Sequence, residues 1–595
     1  MAKKSKVELP LEQNKKGLFI TISIIAVVVS LIYSYKLRWL GDDIFIVFRY
    51  IQNILDGNGL VYNKGERVEG YTDFLWLIML TFFAWLKCSP LITTQVLGIA
   101  SSVGTLILFS FVGYKISKRT NSFILPFITL ALTLNYDYNV WATSGLETAF
   151  FSFLLCCAFY TFFFSLLAGN KKLILTGLYL CLALMTRPDT LLIIFLVNVL
   201  FIFNQLLNGI KFSKIIASIF FFNLAIVVIY IPYFLWRYNY FGFIFPNTYY
   251  DKLGNETLFS KGFYYIWLYF KPHFTSFLIF LFPPVVLLPL IKGKLILNIK
   301  EYISDNWNAA YLTAIVVVYS YLLVFVAKVG GDFMHARFII PIAPFIYFII
   351  YYSVVKYVPK KNLNIVLCIL LFCSFFETEI RFDIFKAPDK NGKIITTLNR
   401  DVADERWAYT TYLPIENDIK LGKVLHSTFE GIDAKMLVRG GQACLGYFAG
   451  FPYAQEYHGL TDTLIAHSIV LQRGRIGHEK HATNEYLQNK GINFLFNRSP
   501  LTKDRYKYAE IDVSPYTIST EIITYNNKII EQLKQRLGEG FLFTDFQAYL
   551  DDYIHTKLHV VPKAELQKDY TDFYLYYFKH NDDKVREKEF TDALK

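Results

Sequence analysis

The chain has 595 residues, 54% of them hydrophobic and 18% aromatic, and a formal charge of +12. That hydrophobic share excludes an ordinary soluble enzyme of this length and points to a polytopic membrane protein. Nor does the charge indicate a nucleic-acid partner. Lys and Arg fall in short patches between apolar runs, as at Lys115–Arg119, Lys171–Lys172, Lys211–Lys214 and Lys356–Lys361, the distribution that sets topology in a membrane.

From the N-terminus, a basic start leads into an apolar run at 17–38. No small-residue cleavage site follows, so a retained first span is expected rather than a signal peptide. Directly after it comes Gly41–Phe74, GDDIFIVFRYIQNILDGNGLVYNKGERVEGYTDF. A carboxylate at membrane depth costs about 2.5–3.5 kcal/mol on insertion scales, so the pair Asp42 and Asp43 at the edge of a span asks for a function. Asp42, Arg49, Asn53 and Asp56 are spaced to form one polar stripe on a helix, with Phe45, Phe48 and Ile51 around it. Such a helix is expected at the membrane surface; a solvated helix end with Asp42 as N-cap fits the spacing equally well. Asp56 to Gly59, Asn63 to Gly65 and Glu69-Gly70 carry turn chemistry that folds the segment into a compact loop.

Further runs of bilayer length, about 20 residues, fall at 121–135, 146–168, 173–186, 190–208, 214–236, 274–291, 309–328, 338–357 and 362–377, with two more candidates at 73–87 and 91–113. Placing the basic patches inside puts Asp42 and Asp43 outside, together with the loops near Asn135, Arg187, Trp236–His273 and Gly330–Arg337. Parity then requires that 73–113 cross once, one of its segments being partial or interfacial, for about 11 crossings and an outside C-terminus. Two full crossings there would invert everything downstream. Of the seven cysteines only Cys444 lies away from the apolar runs, and no disulfide framework or metal cluster is expected. From about 380 onward the composition turns charged and glycine-punctuated, long enough for a separate α/β domain.

On the expected outer side lie Glu147 in SGLET, Arg187 and Asp189 in TRPD, and Asp332, His335 and Arg337 in GGDFMHAR. Singly, each fits an interfacial Arg or a helix cap; several from separate loops suggest a polar cavity. Carboxylates with Arg and His suit an anionic phosphate leaving group and a hydroxyl nucleophile that needs a base. In the C-terminal region the densest polar cluster is His458-Gly-Leu-Thr-Asp462, then His467, then Arg473 to His481 with His478. It lacks HExxH and paired Cys, so a structural or substrate-contact role ranks above metal binding.

The stretch GDDIFIVFRYIQNILDGNGLVYNKGERVEGYTDFLW closely resembles the first outer loop of the terminal β-(1→2)-arabinofuranosyltransferase group, membrane enzymes that use decaprenyl-phosphoryl-arabinose. The resemblance continues in SGLET, TRPD, GGDFMHARFIIP, HGLTD and RIGHEK. It implies a polytopic α-helical membrane protein of GT-C type, with a transmembrane domain over 1–379 that contains the catalytic loop 41–74, and an extracytoplasmic α/β domain over 380–595. The implied reaction is inverting transfer of a sugar, arabinofuranose-like, from a polyprenyl-phosphate donor to a glycan or glycolipid acceptor. Asp42 or Asp43 would be the base, and Arg187, His335 and Arg337 would hold the donor phosphate. Arg49, Glu69, Tyr71, Glu147, Asp332, His458, Asp462 and His478 would contact sugar or acceptor. No cofactor is expected, since the donor has no diphosphate for a metal to bridge. The implied location is the bacterial cytoplasmic membrane, embedded in lipid, with the site on the outer face. Two alternatives remain. One is a mannose-type hexose transferase acting on lipopolysaccharide or protein; the other is a transporter for lipid-linked sugar, disfavoured by the absence of a repeat with paired broken helices.

Overall fold

A computed structural model describes residues 10–164, 169–252, 257–282, 295–385, 398–496 and 504–595. The chain divides into two units. The first comprises Met1–Gly41, Thr72–Ile244 and Asn255–Leu413, and the second Asp42–Tyr71, Phe245–Gly254 and Pro414–Lys595. This differs from a single boundary near 380: the first loop joins the C-terminal unit, and the residues up to Leu413 stay with the helices.

The first unit is helical. Among the described residues, seven helices are long and apolar enough to cross a membrane: Lys15–Lys36, Pro90–Thr120, Thr190–Leu207, Phe212–Phe241, Asn306–Val329, Ile340–Tyr357 and Lys360–Phe385. Their exposed side chains include Ile24, Ile25, Phe195, Phe220, Phe372 and Phe375, an apolar surface that lipid would cover. Among the described residues, the region 73–113 carries one helix of spanning length. Phe74–Trp85 has 12 residues, about 18 Å of helix, short of a ~30 Å hydrocarbon core. Lys87, at φ 65°, separates it from the 31-residue helix Pro90–Thr120.

Other expected runs are not among these seven. The run at 121–135 yields Phe127–Leu134, because Asn135 ends it and caps the next helix, Tyr136–Trp141, through the Tyr138 N–H. The run at 146–168 gives the 16-residue helix Thr148–Phe163, and 173–186 lies within Gly169–Thr186. Part of 274–291 lies outside the described residues. Two glycines let helices touch backbone to backbone: a Cβ on Gly98 would sit 2.3 Å from the Ala142 carbonyl oxygen, and one on Gly177 would sit 1.8 Å from that of Phe222. Small residues serve helix contacts in membranes for this reason. The short strands β1 (Leu398–Asn399) and β2 (Val402–Ala403) close this unit.

The second unit is α/β, as expected. Its sheet contains β3 (Lys435–Val438), β4 (Tyr453–Glu456), β5 (Phe494–Phe496), β6 (Tyr508–Val513), β7 (Tyr516–Ile522) and β8 (Phe541–Phe543), in the order β4-β3-β5-β7-β6-β8. β3 runs parallel to β4 and β5, and the other pairs are antiparallel. Parallel neighbours need long crossovers. The first contains the helix Ala443–Ala449, and the second carries both HGLTD and RIGHEK. Leu437, Leu495, Ile465, Leu487, Ile492 and Ile523 form a core beside the sheet.

The first loop is built into this unit rather than spread as an interfacial helix. Its helix Ile44–Leu55 buries every residue from Ile44 to Ile51, so no lipid-facing side remains on that stretch. Arg49 donates to the carbonyls of Tyr62 (2.9 Å) and Phe451 (3.1 Å) and to Asn63 Oδ1 (3.1 Å). Asn63 exchanges two hydrogen bonds with the Ala454 backbone in β4. The Glu69 carbonyl accepts from the Asn247 N–H, and the Tyr71 ring meets Tyr50 edge-on at 5.1 Å.

Candidate active site

In the second unit the aspartate pair lies at the carboxyl end of β3, the end of a parallel strand where open α/β sheets gather ligands. Asp42 is 3% exposed, and both its oxygens accept backbone N–H groups at the start of Ala443–Ala449, from Ala443 and Cys444, each at 2.9 Å. It therefore anchors a distant helix instead of capping its own. Burial pushes its carboxyl up to about 7; the two N–H donors oppose this, while the neighbouring charges of Asp43 and Asp418 add to it. Asp43 is only half-buried and makes no capping bond to its own helix. Of the two carboxylates it is the more exposed.

At the end of β4, Glu456 accepts from the N–H groups of His458 (2.9 Å), Gly459 (2.6 Å) and Leu460 (2.7 Å). Burial still pushes its carboxyl up to about 8. The rings of His458 and His478 come together with centroids 4.9 Å apart, and burial lowers them to about 4 and about 3, so both are neutral at pH 7. A Cβ on Gly440, just after β3, would sit 3.1 Å from His458 Nε2, which ties these histidines to the same sheet edge. Asp462 stands apart from them: it caps Thr463–Ala466 through the Ile465 N–H and accepts from Lys490 (2.8 Å), Tyr486 (2.6 Å) and Gln455 (3.1 Å).

In the first unit, residues from three well-separated motifs converge. Arg187, between Gly169–Thr186 and Thr190–Leu207, donates to Glu147 (2.8 Å) and Asp189 (3.0 Å). Arg337 reaches the same Glu147 at 3.3 Å and Asp332 at 3.4 Å. Tyr321 donates to Asp189 at 2.6 Å. Arg187, Arg337, Tyr321, Glu147 and Asp332 are buried, and Asp189 is partly so. Asp73, which no motif singled out, lies in the field of the same cluster: burial first, then the Glu147 charge, raises its carboxyl, while Arg337 and Arg187 oppose the rise.

The segment GGDFMHAR divides. Asp332 and Arg337 join this cluster, whereas His335 lies 3.6 Å from Asp137 in a second network. There Arg381 bridges Asp137 (3.0 Å) and Asp404, and His273 lies 3.6 Å from the other Asp137 oxygen. The backbone on either side of Met334 pairs with Ala403: His335 N–H donates to the Ala403 carbonyl (3.0 Å), and Ala403 N–H to that of Phe333 (2.7 Å). Arg381 thus braces the segment that carries Asp332 and Arg337. One signal for it was available in the sequence: Glu377 and Arg381, four apart and both buried in a candidate span, are the ionisable intramembrane residues that demand partners. Asp137 and Glu456 left no such signal.

No family model matches the chain. It is 35% identical over 121 residues to the terminal beta-(1->2)-arabinofuranosyltransferase of Mycobacterium tuberculosis, covering 19% of each protein. Against the protein of the same name from Corynebacterium glutamicum it is 22% identical over 344 residues, covering 51% of this chain and 46% of that one. The alignments thus span less than half the length of these curated relatives. Among solved structures, ArnT from Cupriavidus metallidurans superposes with a TM-score of 0.48 in the apo state, covering 86% of this chain and 98% of that one, and 0.43 when bound to undecaprenyl phosphate, covering 73% and 85%, both at 10% identity. Over the aligned stretches, the chain is similar in sequence to terminal arabinofuranosyltransferases.

Proposed function

We propose that the chain is an inverting membrane glycosyltransferase of GT-C type, moving an arabinofuranose-like sugar from a polyprenyl-phosphate carrier to a hydroxyl of an envelope glycan on the outer face of the cytoplasmic membrane. The observation that carries this reading is the asymmetry of the aspartate pair: Asp42 is fixed on two backbone amides, while Asp43 beside it stays half-buried. The similarity to the arabinofuranosyltransferases supplies the sugar and carrier class. Asp43 takes the acceptor hydroxyl proton as the oxygen attacks the anomeric carbon. The bond from that carbon to the phosphate oxygen breaks, and the carrier phosphate departs with the electron pair. Asp42 positions its neighbour.

Arg187 and Arg337 are proposed as the phosphate contacts, without His335, which belongs to the separate Asp137 network. The two guanidiniums already face Glu147, Asp189 and Asp332, so an added anion is best accommodated with Asp73 neutral, the state that its burial favours. The phosphate leaving group needs no metal bridge, so excess EDTA is expected to leave the rate unchanged.

The test is transfer by the purified protein in nanodiscs, offering polyprenyl-phosphate arabinofuranose, mannose, glucose and galactose with envelope glycans, and reading products by mass spectrometry. One productive donor, with product lost in Asp43→Asn, is the expected result. Translocation of the lipid-linked sugar without a new glycosidic bond would overturn the reading.

A further inference from the structure

We infer that the loop from His467 to Arg475 in the second unit is a membrane-docking loop whose apolar tip enters the headgroup boundary of the bilayer in which the chain is anchored. The loop reads HSIVLQRGR and contains no acidic residue. Ile469 is 86% exposed and Leu471 93%, with Leu464 nearby in sequence at 65%. Large aliphatic side chains this open, side by side at a loop tip, ask for an apolar cover.

The base of the loop is rigid. Glu479, itself buried, accepts from Arg473 (2.7 Å) and from the Gly474 N–H (2.7 Å). Lys480 donates to the Tyr250 carbonyl (2.8 Å), and the His467 ring stacks on Tyr250 at 4.2 Å. The loop is thereby fastened to the helix Asn247–Lys252, which Asn247 ties in turn to the Gly459 carbonyl (2.7 Å). That helix begins shortly after the candidate span Phe212–Phe241 ends, and the intervening Phe243, Ile244 and Phe245 are exposed. The apolar tip is thus held by a segment only a few residues of chain from a membrane exit.

A lipid surface fits better than a protein partner. A stable protein interface needs about 800 Å² per side, more than a tip of three aliphatic residues offers. Irregular backbone cannot enter the hydrocarbon core, where its polar groups go unsatisfied, which confines the tip to the interface. Arg475 behind it matches the anionic headgroups found there, while Arg473 is held by Glu479. The inference depends on the membrane anchoring of the chain and not on the proposed transfer reaction, so either can fail without the other.

The test places single cysteines at the tip, Ile469→Cys and Leu471→Cys, in a chain whose accessible Cys88, Cys368 and Cys373 are replaced by Ser. Each is labelled with an environment-sensitive nitrobenzoxadiazole dye in anionic nanodiscs, with and without lipids spin-labelled high on the acyl chain. Val585→Cys, at a position 77% exposed on the helix Lys584–Leu594, is the control. The tip labels are expected to be quenched by the spin-labelled lipid about twofold or more above the control, and shielded from aqueous iodide, as for a side chain at the interface. Lipid quenching equal to the control would overturn the inference, whether the tip proves open to water or covered by protein.

Discussion

The two units differ in how they bury charge. In the helical unit, arginines bridge buried carboxylates: Arg187 lies between Glu147 and Asp189, and Arg381 between Asp137 and Asp404. In the α/β unit, Asp462 and Glu479 also pair with Lys490 and Arg473, but Asp42 and Glu456 are held by backbone amides, two and three respectively. A full counter-charge favours the ionised form strongly, whereas backbone dipoles only partly offset desolvation. Burial accordingly pushes the carboxyls of Asp42 and Glu456 up to about 7 and about 8. The arginine-bridged carboxylates are held ionised, whereas Asp42 and Glu456 are open to titration.

The sharpest way to break this comparison is Asp43→Asn, expected to lower transfer by about 10²–10⁴-fold, the usual contribution of a general base, with an unchanged melting temperature. Asp42→Asn is expected to lower the melting temperature, since an amide oxygen replaces only one of two acceptor atoms. If Asp42→Asn instead removes activity at unchanged stability and Asp43→Asn does not, the two roles are reversed.

Next in size is Arg187→Met, which leaves Glu147 and Asp189 short of a buried partner at a cost of about 3–5 kcal/mol; a denaturation midpoint equal to wild type would show that the cluster is not locked. Arg381→Lys keeps the charge but loses the fork that spans Asp137 and Asp404. It should cost about 1–3 kcal/mol and loosen the Asp332–Arg337 segment, read as faster amide exchange at His335.

The smallest expected effect is a pH slope in the α/β unit. Asp42 and Glu456 have folded values above their unfolded ones and favour a fall in stability as pH rises, whereas His458 and His478, lowered by burial, oppose it below about 6.5; the net fall is expected from about 6.5 to 8, by at most about 1.4 kcal/mol per unit for each carboxyl. Melting curves from pH 6.5 to 9 should show this fall, and Asp42→Asn should flatten its lower part. A rise in stability across that window would contradict the buried arrangement of both carboxylates.

Much of the fold was legible because membrane spans are written in long apolar runs, and 12 residues at Phe74–Trp85 are too few for one. The convergence of Glu147, Arg187, Asp189, Asp332 and Arg337 was legible for a related reason: charges that interrupt apolar sequence must find one another. The partners of the first loop were not. The polar stripe through Asp42, Arg49 and Asn53 suggested a surface helix, but helical periodicity states which residues share a face and not what covers it. Here Arg49 bonds to carbonyls at Tyr62 and Phe451, and Asp42 to amides at Ala443 and Cys444. Backbone partners of this kind leave no imprint on side-chain identity, which is also why Glu456 passed unnoticed.

The bond between Asn63 and Ala454 joins residues 391 positions apart, and this separation governs how the protein is made. At about 5–20 residues per second, the usual pace of synthesis, the aspartate loop waits roughly 20–80 seconds for the strand that completes it. During that interval the apolar side of Ile44–Leu55 has no final partner, so the loop cannot reach its native arrangement until the last spans have been inserted and the sheet has emerged. A chain ended between Phe385 and β4 would carry all of the candidate spans and yet lack the strand that completes the aspartate loop, so the proposed site stays unassembled until well after the last span is made.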